Sequence, residues 1–345
     1  MSTSYDTLVT SNVDLQPYNT LNISAKARYF AEIQSQEKLC EILRHPDTGN
    51  MKIVVLGEGS NVLFTDDFDG LVLHINIQGR EVLKETQEHI WLKLGAGENW
   101  HQTVRYCVEQ GWGGIENLSL IPGTVGAAPI QNIGAYGVEL QEVFEWLEGM
   151  DIEGRAIRRY DKEDCEFGYR DSIFKGELKG IVIVTNVVLK LSKNPIVHTS
   201  YGAIQEMLEE RDITDPTIRD ISDIVIDIRN SKLPHPNTLG NAGSFFKNPI
   251  VDEKVYERIK KIHPQAPGYA MGDDEVKVPA GWLIEEAGWK GKVVGNTGTY
   301  KQQALVIVNH GGATGQEVRK LAIKIRESVA EQFGIELVPE VNIID

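Results

Sequence analysis

Apolar residues recur at helical spacing in six segments of the chain. In residues 36–44, Leu39, Ile42 and Leu43 fall on one side of a helix, a pattern typical of a helix that packs on a core. The same spacing predicts further helices at residues 98–110, 215–230, 255–262 and 318–329, and near Trp282. Pro216 suits the first turn of the helix at 215–230.

Shorter apolar runs lie between these segments and predict strands. The runs cover residues 53–56, 71–77, 90–94, 143–150, 181–191, 304–308 and 337–341. Their length and their content of Val, Ile and Leu favour strands over helices. We therefore expect an α+β chain.

The pattern divides the chain into four parts. We expect a polar, loosely held extension at 1–18, a small lobe at 19–77, a larger lobe at 78–232 that also takes the C-terminal strand 335–345, and a separate domain at 233–334. Pro234 and Pro236 break the chain at the start of that last domain.

One stretch, between Glu116 and Glu139, contains no charged residue. It carries four glycines and two prolines, which favour turns and argue against a membrane span. A merely structural loop remains an alternative. The stretch also suits a cradle of backbone N–H groups around an anionic ligand, because oriented amides hold phosphate without Lys or Arg.

A second glycine-rich turn, residues 57–64, follows the apolar run 53–56. The dinucleotide-binding fingerprint GxGxxG fails there because Val62 stands at the third glycine position and a strand-like run follows. The turn at 95–97 fails in the same way, with Trp100 at the third position. Both turns suit phosphate, but they do not indicate a Rossmann fold.

Composition narrows the range of partners. The net charge of −15 and a pI near 5.1 argue against nucleic acid or an anionic membrane as a partner. An anionic ligand would therefore need a locally positive or amide-lined site. The three cysteines, which form no CxxC pair, predict a reducing compartment without disulfides or a zinc site. The N-terminus lacks a signal-peptide pattern, so we expect a cytoplasmic protein and a monomer.

Several motifs occur together and in order: 57–64, 95–101, 116–140, 169–175, 240–249 and 339–341. In these motifs the chain resembles the UDP-N-acetylenolpyruvoylglucosamine reductases, from about Asn19 to its end. Residues 199–202 further resemble the type I branch of that family. The resemblance implies a two-lobed FAD-binding fold of the vanillyl-alcohol-oxidase/PCMH type plus a separate α/β substrate-binding domain. It also implies FAD and NADPH as cofactors.

The resemblance assigns the cofactor site to the glycine-rich segments. The residues expected to hold FAD are Gly57, Gly59, Ser60, Asn61, Val62, Leu63, Ser119, Ile121, Pro122, Gly123, Gly126, Gly134, Gly137 and Arg229. A surface ion pair is the alternative role of Arg229. The residues alone indicate only a phosphate and a nucleotide.

Three residues are expected to be catalytic by the same resemblance. Arg170 has the planar fork that suits the enolpyruvyl carboxylate. Ser244 would be the proton donor, a role that the resemblance implies, and Phe246 at a glycine position of GxSxG disfavours acyl-enzyme chemistry. Glu340, in the apolar run 337–341, would sit with Arg170 at the substrate carboxylate and could stay protonated there.

Four further residues match positions that contact the substrate in this family: Tyr201, Lys232, Asn248 and Gln303. Lys232 and Tyr201 suit the UDP diphosphate. A packed loop aromatic is the alternative role of Tyr201. No metal is expected.

The expected reaction is NADPH-dependent reduction of UDP-N-acetylglucosamine enolpyruvate in peptidoglycan precursor synthesis. One alternative is an FAD oxidase of the vanillyl-alcohol type, whose flavin is often covalently attached; His101 is the nearest residue for such a link, although a solvated or capping role suits it better. A non-catalytic nucleotide-binding module is the second alternative, which the Ser, Arg and Glu set disfavours.

Overall fold

The computed structural model describes residues 5–152 and 156–345. The α-helices of these residues are α1 Tyr5–Leu8, α2 Gln36–Arg44, α3 Trp100–Glu109, α4 Gly202–Glu210, α5 Ile218–Lys232, α6 Glu253–Ile262, α7 Ala280–Glu286 and α8 Gly315–Phe333. The strands are β1 Thr10–Asp14, β2 Lys26–Ile33, β3 Ile53–Leu56, β4 Val62–Phe64, β5 Phe68–Ile75, β6 Arg80–Glu85, β7 His89–Gly95, β8 Gly134–Ala135, β9 Val138–Glu139, β10 Phe144–Asp151, β11 Ile157–Asp161, β12 Val182–Ser192, β13 Gly240–Ser244, β14 Ile250–Asp252, β15 Tyr269–Gly272, β16 Glu275–Lys277, β17 Val293–Val294, β18 Thr297–Thr299, β19 Val306–Asn309 and β20 Asn342–Ile344.

The six helices that the apolar spacing predicts are confirmed, and α2 has the predicted bounds. The prediction for α5 is wrong at its start, because the helix begins at Ile218 and leaves Pro216 outside. The Thr217 hydroxyl accepts a hydrogen bond from Asp220 N at 3.3 Å, and the Asp220 carboxylate accepts one from Thr217 N at 2.8 Å. This reciprocal pair places the cap two residues later than Pro216 suggests. Helices α1 and α4 were not predicted.

The predicted strands are confirmed with small shifts, except for the run at 337–341. That run forms only an isolated bridge between Phe246 and Pro339, and the strand β20 starts after it. Within this run Leu337 and Val341 are buried but Val338 is exposed, so its apolar residues do not mark one buried strand.

The described chain forms two compact units. The first comprises residues 5–13, 27–58 and 69–231. It contains the sheet β1-β2-β5-β3, the antiparallel sheet β11-β10-β12-β7-β6 and the short hairpin β8–β9. One face of α3, with Trp100, Val104 and Cys107, lies in the main core of this unit. Helices α4 and α5 form a smaller core of their own around Ile204 and Ile221.

The second unit comprises residues 14–26, 59–68 and 232–345. It contains the sheets β13-β19-β18-β17 and β14-β16-β15, the parallel pair β20–β4, and helices α6 to α8. Its core takes Leu21, Ile23 and Leu63 from the two N-terminal segments. The predicted boundary at 232/233 lies one residue from a boundary of this unit, and the C-terminal strand lies within it. The division of the rest into two lobes stays a prediction.

The N-terminal residues differ from the expected loose extension. Residues 1–4 lie outside the described residues. From residue 5 onward, Tyr5, Leu8 and Leu15 are buried, and α1 and β1 are formed. Tyr5, Leu8 and Val9 belong to the main core of the first unit, although the overall composition of the segment is polar. No helix in the described part of the chain has the length and apolarity that crossing a membrane requires.

Candidate active site

The glycine-rich turns of the first unit converge on one another. A Cβ on Gly57 would lie 2.3 Å from Thr124 Oγ1, and one on Gly126 would lie 2.5 Å from Ala96 Cβ. Glycine is required at these two positions because backbone and side chain approach too closely for a methyl group. The turns at 57 and 95–97 and the uncharged stretch thus meet, as the cradle prediction requires.

The amides of the uncharged stretch are only partly available to a ligand. Gly123 N donates to the Glu58 carboxylate at 2.5 Å, and Gly123 itself has a φ of +121°. The amides of Val125 and Gly126 donate to the carbonyls of Glu98 and Ala96, each at 2.8 Å. At least one amide is therefore oriented toward an anionic oxygen, while its neighbours hold the turns together.

The buried hydroxyl of Ser119 is bonded within the protein. It donates to Glu116 O at 2.7 Å and lies 2.8 Å from the Ser222 hydroxyl. At the next residue, His101 Nδ1 accepts from Leu120 N at 2.9 Å. Burial, with the charges of Arg105 and Arg229, lowers the pKa of His101. A neutral imidazole that fixes the loop fits the capping role expected for His101.

Arg229 supplies positive charge at this loop. Its Nε donates to Leu120 O at 3.1 Å, and its guanidinium donates to the Tyr136 hydroxyl. Burial lowers the pKa of Arg229, and the nearby charge of Arg170 acts in the same direction. Arg229 is half-buried, and a guanidinium that is held by two neutral oxygens retains its attraction for an anion, which a surface ion pair would not.

Arg170 lies beside the hairpin β8–β9. Its guanidinium donates to Gly134 O, and a Cβ on Gly134 would lie 2.8 Å from Arg170 Nη1. Arg170 adopts a φ of +53°, a conformation that costs a non-glycine residue about 1–3 kcal/mol and is found most often at functional sites. Gly134, expected to hold FAD, thus also makes room for Arg170.

Gly137 lies at the tip of the same hairpin. Gly134 pairs with Glu139 and Ala135 with Val138, which leaves Tyr136 and Gly137 as a two-residue turn. Their φ values of +50° and +84° are those of a type I′ turn. Glycine is suited to the second position, whereas a tyrosine at the first is unusual.

In the second unit, the turn at 59–61 joins the C-terminal segment. Gly59 has a φ of +65°, and a Cβ there would lie 2.0 Å from Tyr18 O. Asn61 Nδ2 donates to Glu340 O at 3.3 Å, and Asn342 N donates to Asn61 O at 3.0 Å. Ser60 is half-buried in this turn, as is Val62 at the start of β4, whereas Leu63 is fully buried.

Ser244 and Glu340 lie close together in this unit. Ser244 is exposed at the end of β13, where it pairs with Val306 of β19. Glu340 N donates to Phe245 O at 2.9 Å, and Phe246 forms its bridge with Pro339. Two segments that are 96 residues apart in sequence thus bring the backbone of Glu340, which is half-buried, next to the residue that follows Ser244.

The expected substrate residues occupy two places. Asn248 Oδ1 accepts a hydrogen bond from Ala280 N at 2.9 Å. Gln303 Oε1 lies 2.6 Å from the position that a Cβ of Gly281 would take. Both side chains therefore contact the start of α7. In the first unit, Tyr201 precedes α4, is 46% exposed and packs edge-on against Tyr136, with ring centroids 5.2 Å apart. Lys232 is exposed at the end of α5.

Two family models match the chain. The "FAD binding domain" matches residues 27–158, and the "UDP-N-acetylenolpyruvoylglucosamine reductase, C-terminal domain" matches residues 235–344. The reductase of that name from Amoebophilus asiaticus is 52% identical over 96% of this chain and 98% of its own length. The chain belongs to the UDP-N-acetylenolpyruvoylglucosamine reductase family. The reductase from Pseudomonas aeruginosa is 46% identical over 95% of this chain and 97% of its own.

A solved structure of this family supports the fold. The reductase from Thermus caldophilus is 26% identical, with a TM-score of 0.68 over 98% of this chain and 99% of its own. The expected FAD-binding fold with a further substrate-binding domain is confirmed. The chain is an FAD oxidoreductase that uses NADPH, and a vanillyl-alcohol-type oxidase is not favoured.

The residues present fit FAD. Arg229 and the close approach of the glycine turns supply the positive charge and the tight backbone that a pyrophosphate needs, while the Gly123 amide is taken by the Glu58 carboxylate. The sequence reasoning missed Tyr136, Asn117 and Glu58, which link these parts. The Tyr136-Gly137 pair does not match the Asn-Gly or Asp-Gly signal of a two-residue hairpin turn, so the sequence carried no sign of these contacts.

Proposed function

We propose that the chain reduces the enolpyruvyl double bond of UDP-N-acetylglucosamine enolpyruvate with NADPH, giving UDP-N-acetylmuramate for peptidoglycan. The observation that supports this assignment is the hydrogen bond from Glu340 N to Phe245 O, which joins the backbone of Glu340 to the residue that follows Ser244. The residues named below would hold FAD, whose chemistry would be to relay a hydride from NADPH to the terminal enolpyruvyl carbon.

Arg170 binds the substrate carboxylate. Its fork can donate two parallel hydrogen bonds to the two carboxylate oxygens. Hydride addition moves an electron pair toward that carboxylate, so Arg170 stabilises the enolate-like state more than the ground state. The left-handed backbone of Arg170 and its bond to Gly134 O hold the guanidinium in place.

Ser244 completes the reduction. The carbon next to the carboxylate carries the electron pair after hydride addition, and the Ser244 hydroxyl gives it a proton; water then restores the alcohol. An alcohol is a weak acid, so it can act only on a strongly basic carbon. Glu340, as a neutral acid beside the substrate carboxylate, shares the negative charge that builds up there.

The remaining residues expected from the sequence bind the substrate and the cofactor. Tyr201 and Lys232 take the diphosphate, and Asn248 and Gln303 bind the substrate at the start of α7. FAD is held by the residues expected from the sequence: Gly57, Gly59, Ser60, Asn61, Val62, Leu63, Ser119, Ile121, Pro122, Gly123, Gly126, Gly134, Gly137 and Arg229.

The surroundings of the cysteines support a cytoplasmic location, and that the protein is a monomer stays a prediction. All three thiols are unpaired. Burial raises the pKa of Cys107 and of Cys165 to about 12, which keeps both thiols protonated and unreactive. A reducing compartment suits such a protein.

The Ser244→Ala variant tests the mechanism in two half-reactions. Reduction of the flavin by NADPH needs no proton from an alcohol, so it should keep its normal rate. Anaerobic reoxidation by the enolpyruvyl substrate should slow by about 10²-fold or more, as is usual when a positioned general acid is lost. Stopped-flow absorbance of the flavin measures both steps on one sample.

The Ser328→Ala variant is the matched control. Its hydroxyl bonds only the Lys324 carbonyl on α8, and both half-reactions should keep their wild-type rates. Reoxidation of Ser244→Ala at the wild-type rate would remove Ser244 from the mechanism. A wild-type protein that NADPH reduces but the UDP substrate fails to reoxidise would refute the proposed function itself.

A further inference from the structure

Asn117 joins two segments that are distant in sequence. It lies in the 3-10 helix Glu116–Leu118 and is 1% exposed. Its Nδ2 donates to Tyr136 O and to His198 O, both at 3.0 Å. The Nδ2 end of the carboxamide must face the two carbonyl acceptors, because the Oδ1 would repel both.

Each segment held by Asn117 leads to a ligand-binding part of the first unit. His198 lies three residues before Tyr201, which is proposed to bind the substrate diphosphate. Tyr136 is the strained first residue of the type I′ turn and packs edge-on against Tyr201. Asn117 therefore fixes the backbone on both sides of the contact between the two tyrosine rings.

The other end of Tyr136 reaches the flavin cradle. Its hydroxyl accepts from Arg229, whose Nε donates to Leu120 O at 3.1 Å. Leu120 has a φ of +58°, so its carbonyl direction depends on a strained turn that this bond supports. A continuous set of contacts thus runs from Tyr201 through Tyr136 to the cradle.

We propose that Asn117 is a positioning residue that couples the binding of the UDP substrate to the binding of FAD. The inference rests on the proposed function of Tyr201 and Arg229. Asn117 holds the backbones of Tyr136 and His198 together. A shift of Tyr201 therefore moves Tyr136, and the movement of Tyr136 changes the bond from Arg229 to the cradle. Without Asn117, the UDP substrate and FAD bind independently of each other.

The test measures affinity without turnover. Apo-protein is titrated with FAD, followed by flavin fluorescence, in the absence and the presence of saturating UDP-N-acetylglucosamine enolpyruvate and without NADPH. Because coupling between sites is reciprocal, the substrate should tighten FAD binding in the wild type by at least about 5-fold, the lower end of typical allosteric coupling. In the Asn117→Asp variant the acidic side chain faces two carbonyls. The ratio of the FAD affinity with substrate to the FAD affinity without substrate should therefore fall to near one.

Asn19→Asp is the matched control. Asn19 is buried, and its Nδ2 likewise donates to two backbone carbonyls, those of Leu15 and Ile23, both at 2.8 Å. The control should lose stability but keep the wild-type ratio. The proposal would be overturned if the ratio fell equally in both variants, if it were unchanged in Asn117→Asp, or if it were near one in the wild type.

If Asn117→Asp does not fold, Tyr136→Phe decides the question. It keeps the ring that packs on Tyr201 but loses the acceptor of Arg229, so the ratio should fall; an unchanged ratio would contradict the coupling. The affinity test involves no chemistry, so its failure is separate from failure of the reductase reaction, which the anaerobic reoxidation of wild-type flavin reports.

Discussion

A methyl group at position 57 would lie nearest to Thr124, whose Oγ1 would be 2.3 Å from it and whose Cβ and Cγ2 would be at 3.3 Å. Gly57→Ala should therefore destabilise the packed turns by about 1–3 kcal/mol, the usual cost of overpacking, and weaken FAD binding. Thr124→Ala removes two of the three clashing atoms, so the double variant should recover most of the loss. Thermal unfolding and FAD affinity of all four proteins measure the coupling.

The single Thr124→Ala variant is the control for this cycle, because the Thr124 side chain caps no helix. We expect a coupling energy of about 0.5–3 kcal/mol, as for residues in direct contact. If the double variant binds FAD no better than Gly57→Ala, the turn at 57 does not depend on its contact with Thr124.

The helix α8 begins with a capping box, in which Glu317 Oε2 accepts from Thr314 N at 2.8 Å and Thr314 Oγ1 accepts from Glu317 N at 3.2 Å. The backbone hydrogen bond from Thr314 lowers the pKa of Glu317 below 4.5. A lowered pKa means that the stabilisation is present above the unfolded pKa and is lost as the pH falls through the folded pKa.

Glu317→Gln should accordingly be less stable than the wild type at pH 7, and the difference should disappear well below pH 4.5. The midpoint of thermal unfolding as a function of pH measures this change. Glu331→Gln in the last turn of α8 is the control, and it should act in the opposite direction, because a carboxylate is unfavourable near a helix C-terminus. A pH-independent difference for Glu317→Gln would show that its charge does not cap α8.

The second unit is discontinuous in sequence, and its core depends on two N-terminal segments. Leu21 and Leu63 are fully buried in that core, β4 pairs with β20, and Asn309 Nδ2 donates to Leu21 O at 2.8 Å. A fragment of residues 232–345 lacks these partners, although it contains the whole region matched by the C-terminal family model.

We expect this fragment to unfold without a cooperative transition, because removing large side chains from a core costs about 2–5 kcal/mol each. Circular dichroism during heating measures this, with the full chain under the same conditions as the control. A sharp transition near that of the full chain would mean that the unit does not need its N-terminal segments.

The sequence by itself determined what depends on neighbours a few residues apart. Apolar spacing located α2, α3 and α8, since a helix face is set by residues three and four apart. The uncharged, glycine-rich stretch predicted tight turns, because glycine tolerates conformations that other residues avoid. The motifs also predicted the reductase family and its FAD-binding fold, which the comparisons confirm.

Only the tertiary structure decided which distant groups meet. Nothing in the pattern around Asn117 indicates that its carboxamide bonds the carbonyl of His198, 81 residues away. The same holds for Glu58, whose carboxylate takes an amide of the predicted cradle, and for the bond between Glu340 and Phe245. A hydrogen bond between remote segments depends on the packing of the whole unit, and a local pattern contains no information about that packing.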